Sequence, residues 1–236
     1  PGFLALPAGH LDEGENVYEA VIREAKEELQ NAMEVYKAND CIVISDEIWS
    51  DIELFGNVHV PTQSVSKDAK MRTIALYAPS KTFNLAGLIG SYHIIYNEAL
   101  KELVTKEGLS THYNSMNVLS MHALIGAASG DDWLMELRQV LSKNIETMYQ
   151  YLTTKVEGLE LIKPEATYML FVDCSKYLTK HNLTLDDLLK RAWDHGVIFQ
   201  DGRPFHGENA IRINVALPNQ LLNEAINRLS EYVFID

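Results

Sequence analysis

The run CIVIS, residues 41–45, limits the fold more than any other stretch of the chain. A cysteine, three β-branched aliphatic residues and a serine follow one another without the polar alternation of a half-exposed strand. Such a run predicts a strand buried on both faces, and strands of that kind belong to parallel sheets covered by helices. The breaker KAND (residues 37–40) precedes it, and the acidic turn DEIWSD (residues 46–51) follows. Two further strand-like runs, RTIALYA (72–78) and LIGSYHIIY (88–96), enclose the loop PSKTFN (79–84).

Helical patterns surround these strands. Val17, Val21, Ala25, Leu29 and Met33 recur every four residues, one apolar stripe on a helix over 17–36. Asn16 is its expected N-cap, with Glu19 in capping-box spacing. Further helices are expected over 98–105, 115–128 and 133–155. The pattern changes after Gly158. LELIKPEATYMLFVDCS (159–175) reads as strand, turn, strand, and TLDDLLKRAWDHG (184–196) as a helix closed by Gly196. VIFQDG and AIRINVAL read as strands and NQLLNEAINRLSEYV as a final helix. A boundary near residue 157 separates an α/β layer from a small α+β domain.

The bulk numbers exclude more than they assign. A formal net charge of −13 repels a nucleic-acid backbone and an anionic membrane surface. No run approaches the roughly 18 apolar residues of a membrane helix, and no basic leader precedes an apolar stretch, so the cytoplasm is the expected location. The absence of an initial methionine suggests residues upstream of Pro1. The two cysteines, Cys41 and Cys174, border apolar runs and are expected to be buried thiols in a reducing compartment.

Three residues carry the strongest chemical signal. Asp46 ends one expected strand and Lys81 lies in the loop after the next. Open α/β sheets bind ligands at the carboxyl ends of their strands, so an acid and an amine meet at a ligand-binding rim. Arg212 lies on an expected strand of the later domain. Taken singly, each has an ordinary reading: a turn residue, a surface cation, an ion-pair partner.

The flanking words change that weighting. VISDEIWSDIELFGNVHVP, YAPSKTFNLAGLIGSY and IRINVALP resemble the fold-type-I, aspartate-aminotransferase-like enzymes that use pyridoxal 5'-phosphate (PLP), above all the cystathionine β-lyase-type C–S lyases. The resemblance covers about residues 27–236. It implies an α/β fold: an incomplete, three-layer αβα large domain over 30–157 and a C-terminal α+β small domain over 158–236. It further implies that Lys81 is the Schiff-base lysine, that Asp46 pairs with the pyridine nitrogen and that Arg212 holds the substrate α-carboxylate. Ser80 would contact the cofactor phosphate. Trp49 stands where many family members place a cofactor-contacting tyrosine, with plain packing as the alternative. His59 would shape a loop. An amino-acid substrate and a homodimer are implied too, while lyase and aminotransferase chemistry stay equally open because one lysine serves both. The family's glycine-rich phosphate turn, ring-stacking aromatic and ring-contacting asparagine have no counterpart ahead of Glu27. Low stability, self-association and weak turnover are therefore expected.

A second resemblance covers residues 1–29. GHLDEGENVYEAVIREAKEE is similar to most of the Nudix box, with Gly9, Glu15, Arg23, Glu24, Glu27 and Glu28 in register. Glu24, Glu27 and Glu28 share one helical face, an oxygen set suited to Mg²⁺ and a diphosphate. The box should close on glycine and an aliphatic residue, where this chain has Gln30 and Asn31. The alternative functions are accordingly a Mg²⁺-dependent diphosphate hydrolase and a non-catalytic chimeric remnant joined at the shared word EEL.

Overall fold

The computed structural model describes residues 17–111 and 116–235. They form two compact units, Pro1–Leu134 and Met135–Asp236.

In the first unit, helix α1 (Val17–Ala38) runs two residues beyond the expected stripe. Asp40 stops it in the left-handed region at φ 50°, while the Cys41 amide donates back to the Tyr36 carbonyl at 2.8 Å. This 6→1 closure is the usual helix stop, built on aspartate in place of glycine. Met33 and Leu29 of the stripe pack with Val43, Val60, Val65 and Ala69. Asn16, Gly9, Glu15 and the side chains of Val17, Glu19 and Val21 lie outside the described residues.

A three-stranded sheet follows, in the order β1 (Val43–Asp46), β2 (Thr73–Tyr77), β3 (Tyr92–Ile95). β1 and β2 are parallel, with Asp46 opposite Leu76, and β3 is antiparallel to β2. β1 is not buried on both faces as its composition predicts. It forms a sheet edge, its side chains alternate between half-buried and exposed, and Ile44 keeps 68% of its surface. The short helix α2 (Lys67–Arg72) leads directly into β2 and escaped the sequence reading because six residues show no periodicity. Ser66 caps it, its hydroxyl accepting from the Ala69 amide at 3.0 Å. Helices α3 (Glu98–Thr111) and α4 (Val118–Ala127) complete the unit, α3 six residues longer and α4 shorter than expected.

Helix α5 (Asp131–Lys155) carries the chain into the second unit. Leu141, Ile145, Met148 and Leu152 form its buried stripe, each at most 2% exposed. Asn144, fully buried beside them, donates to the Val215 and Leu217 carbonyls at 2.9 and 2.8 Å. The compact unit thus starts ahead of residue 158. Its antiparallel sheet has the order β4 (Met169–Asp173), β6 (Ala210–Asn214), β5 (Gln200–Asp201). The expected strand after Gly158 reduces to one bridge between Glu160 and Asp173. Helices α6 (Ser175–His181), α7 (Leu185–Asp194) and α8 (Asn219–Arg228) flank it, and a π-helical turn, Leu229–Val233, prolongs α8.

The cysteines part company. Cys174 is fully buried, and burial pushes its thiol up to about 12. Cys41 is exposed, contrary to expectation, because it follows the helix stop on the sheet edge. Among the described residues no helix is long and apolar enough to cross a membrane.

Candidate functional site

The parallel ladder ends where Asp46 faces Leu76, and there the two chains leave the sheet side by side. Asp46 is exposed, and its carboxylate accepts from the Ile48 amide at 3.2 Å, a local turn contact. Glu47 points the other way and is 4% exposed. Its backbone amide still donates to the Leu76 carbonyl at 2.9 Å. Its carboxylate accepts from the Ser45 hydroxyl (3.0 Å), the Thr62 amide (3.1 Å) and the Tyr77 hydroxyl (2.7 Å), and pairs with His59 Nε2 (2.9 Å). Burial pushes this carboxyl up, but the bonds from His59, Tyr77, Thr62 and Ser45 outweigh it and hold the group at about 2. In turn, burial and the facing Glu47 carboxylate push the Tyr77 phenol well above its ordinary range. The Tyr77 ring stacks on Tyr92 at 5.5 Å.

The loop after β2 is equally well tied. The Phe83 amide donates to the Pro79 carbonyl at 2.9 Å, and the Leu85 amide to the Ser80 carbonyl at 3.1 Å. Thr82, only 2% exposed, donates its hydroxyl to Asp51 at 2.9 Å, and its carbonyl accepts from Trp133 Nε1 at 3.3 Å. Asn84 takes the left-handed conformation, φ 53°, that turns the loop. Between these anchors Lys81 places Nζ 5.6 Å from the centre of the Trp49 ring. So Trp49, three residues after Asp46, meets the lysine directly. Among the described residues Lys81 has no carboxylate partner.

A cleft of about 420 Å³ opens alongside, lined by Glu47, Asp51, Tyr77, Phe83, Tyr92 and Leu124 among others. Asp46, Trp49, Ser80 and Lys81 are not among its lining residues. The candidate side chains and this cleft therefore draw on different residues of the same two segments.

Arg212 belongs to the second unit. It sits on the central strand β6, opposite Phe171 of β4 and Gln200 of β5. Its guanidinium lies 4.3 Å from the Phe205 ring centre, and its buried Nε has no hydrogen-bond partner among the described residues. A planar fork held on an aromatic face with donors to spare is suited to a carboxylate.

The acidic face of α1 behaves differently from its metal-binding reading. Arg23 lies 3.8 Å from Glu24 and 3.5 Å from Glu27, while Glu27 and Glu28 are exposed. Among the described residues no group of three His, Cys, Asp or Glu side chains converges closely enough to hold a metal. Among the described residues Glu24, Glu27 and Glu28 thus belong to a helix face on which Arg23 pairs with the first two. Gln30 shows why the helix continues: its side-chain amide donates to the Val65 carbonyl at 3.0 Å, which docks α1 on the loop before α2.

Glu47, Asp51, Tyr77 and Thr82 were not singled out by sequence. One signal was present. With period two from Asp46, a charged Glu47 falls on the inward face, where charge is rare unless paired.

Comparison with known proteins covers nearly the whole chain. The sequence profile described as aminotransferase class I and II matches residues 25–229. The cystathionine beta-lyase PatB of Bacillus subtilis (strain 168) is 31% identical over 210 residues, 87% of this chain and 53% of its own length. An aspartate aminotransferase of Bacillus sp. (strain YM-2) is 26% identical over 213 residues, 88% of this chain and 53% of its own. The crystal structure of a PLP-bound C–S lyase from Staphylococcus hominis superposes with a TM-score of 0.77 at 29% identity, covering 89% of this chain and 53% of that one. The chain spans about half the length of the relatives it matches. The incomplete aminotransferase-type large domain expected from sequence agrees with that fold. Nothing in these matches supports a Nudix hydrolase.

Proposed function

The chain belongs to the class I and II aminotransferase family, and on that premise we propose that it forms part of a PLP-dependent C–S β-lyase acting on an amino acid of the cystathionine or cysteine-conjugate type. One observation carries the reading: an amine on the loop after β2 meets the indole of the turn that Asp46 opens at the end of the neighbouring parallel strand.

The donor set fits the cofactor. Lys81, without a carboxylate partner among the described residues, is available to bond covalently to an aldehyde. Asp46 offers an exposed carboxylate to a ring nitrogen. When bound, PLP supplies an electron sink for the bonds around Cα. Lys81 would hold the group covalently and would be the base placed to move the substrate Cα proton. Asp46 would be the carboxylate that favours a protonated ring nitrogen. Trp49 would flank the lysine amine with its ring. Ser80 is proposed as a phosphate contact, and Arg212 as the α-carboxylate anchor, for which its stacked guanidinium and spare Nε donor argue. A cytoplasmic homodimer belongs to the same proposal, supported by exposed Leu109, Val118, Leu119 and Ile125 on α3 and α4, each at least 65% exposed.

Aminotransfer is the second reading, favoured by the aspartate aminotransferase relative. Products separate the two: pyruvate and ammonia from cystathionine without a keto-acid acceptor mark a lyase, and a strict need for the acceptor marks an aminotransferase. The cofactor itself is tested by borohydride reduction after incubation with PLP, then peptide mapping. A phosphopyridoxyl adduct on Lys81, absent in Lys81→Ala, is expected. An adduct on other lysines alone would overturn the assignment.

A further inference from the structure

Beyond Asp46 and Leu76 no ladder joins the two loops that carry the candidate groups, yet both are fixed. Two side-chain bridges span them: Glu47 to Tyr77 at 2.7 Å and Asp51 to Thr82 at 2.9 Å. Their places along the chain matter. Tyr77 lies four residues before Lys81 and Thr82 immediately after it. Glu47 directly follows Asp46, and Trp49 lies between Glu47 and Asp51. Trp49 and Lys81 are therefore each flanked by a pin on both sides, and Asp46 borders one directly.

The burial of the pins argues that they are built features. Glu47 and Thr82 are 4% and 2% exposed, although both lie just outside regular structure. A carboxylate is tolerated at that depth only when its oxygens are hydrogen-bonded, and Glu47 takes donors from β1, the 59–62 segment and β2 together. Trp133 adds a third strut by donating to the Thr82 carbonyl.

We propose that Glu47–Tyr77 and Asp51–Thr82 form a two-point clamp, with Glu47 and Asp51 acting as positioning residues that set Asp46 and Trp49 against Lys81. The proposal rests on the reading of Lys81 and Asp46 as cofactor-holding groups. A reacting amine must be held within a fraction of an ångström of its working place, and loops without a ladder hold it only through such ties.

The test uses Tyr77→Phe, Thr82→Val and the double variant in the full chain. Each removes one hydroxyl and keeps the volume. Without cofactor, hydrogen exchange is followed at the Ser50, Ile52, Phe83 and Leu85 amides. Loss of one bridge is expected to speed exchange at these sites about fivefold, and loss of both to speed it more than the product of the two. The Leu178 and Val215 amides should not change. The PLP affinity of the double variant should fall by about tenfold, with the adduct still on Lys81. Uniform acceleration across α1, β1 and β2, or no change at the four amides in a folded double variant, would overturn the clamp. Unaltered PLP affinity, with a normal wild-type adduct, would overturn its positioning role. Failure of the wild-type chain to label Lys81, with the four amides responding as described, instead overturns the cofactor reading. Should a double variant not fold, Asp51→Asn, which keeps shape and weakens the acceptor, decides by the same readouts.

Discussion

Glu47 is the residue that most clearly links acidity to fold. Its carboxyl lies at about 2 in the folded chain against an ordinary 4.5. Burial opposes this depression, and the hydrogen bonds from His59, Tyr77, Thr62 and Ser45 produce it. Because the folded value is below the unfolded one, the stabilisation is complete above pH 4.5 and is lost as pH falls from 4.5 towards 2. Urea midpoints followed by tryptophan fluorescence should therefore decline through that window. Glu47→Gln cannot take up the proton, so it should be less stable at pH 7 and show a shallower acid limb. An identical acid limb in the variant would mean that another carboxyl governs it. The sequence held a hint of this group and nothing of its partners. Asp46, Trp49 and Lys81 were legible because they sit in distinctive words, whereas Glu47 acts through contacts to residues 12, 15 and 30 positions away that no local pattern encodes.

Elements divide according to how locally they are determined. α1, α5 and α7 were readable because long helices repeat their apolar positions and end on recognisable signals such as Gly196, which adopts φ 74°. β1 misled because composition reports what a strand could bury, while its edge position determines what it does bury. β5, two residues long, and α2, six long, fall below any useful window. α7 also contains a complete capping box. Thr184 Oγ1 accepts from the Asp187 amide at 3.1 Å, and Asp187 Oδ2 accepts from the Thr184 amide at 2.9 Å. Beneath it Leu185, Leu188 and Ala192 are buried, so the cap fixes the start of a helix that lines the core. Thr184→Ala is expected to lower stability by about 1 kcal/mol, and Thr184→Ser to restore most of it. Denaturation monitored by circular dichroism checks this, and an unchanged midpoint in Thr184→Ala would remove the cap from the account.

At the scale of the molecule, the first question is what folds on its own. A domain starting at residue 158 looks natural by composition, since strands and helices of a new pattern begin there. The packing puts the start earlier. Leu141, Ile145, Met148 and Leu152 supply the buried stripe of α5, and Asn144 closes two carbonyls after β6 that would otherwise lack that donor. Without α5, a chain of 79 residues would expose the apolar surface that this stripe covers and leave those carbonyls without Asn144. Domains of that size have little stability to spare. A fragment of residues 135–236 is therefore expected to unfold cooperatively, and one of 158–236 to be much less stable or molten, binding hydrophobic dye and giving poorly dispersed amide spectra. Asn144→Ala in the longer fragment should cost about 1–3 kcal/mol, since it removes two side-chain hydrogen bonds and takes that donor from the half-buried Leu217 carbonyl, while Val215 keeps the Leu217 amide. Equal thermal midpoints for the two fragments would show that α5 only decorates the second unit. The predicted difference would instead make α5 part of that unit's core, and would place Arg212, on the central strand of its sheet, in a scaffold that holds its guanidinium whatever the state of the first unit.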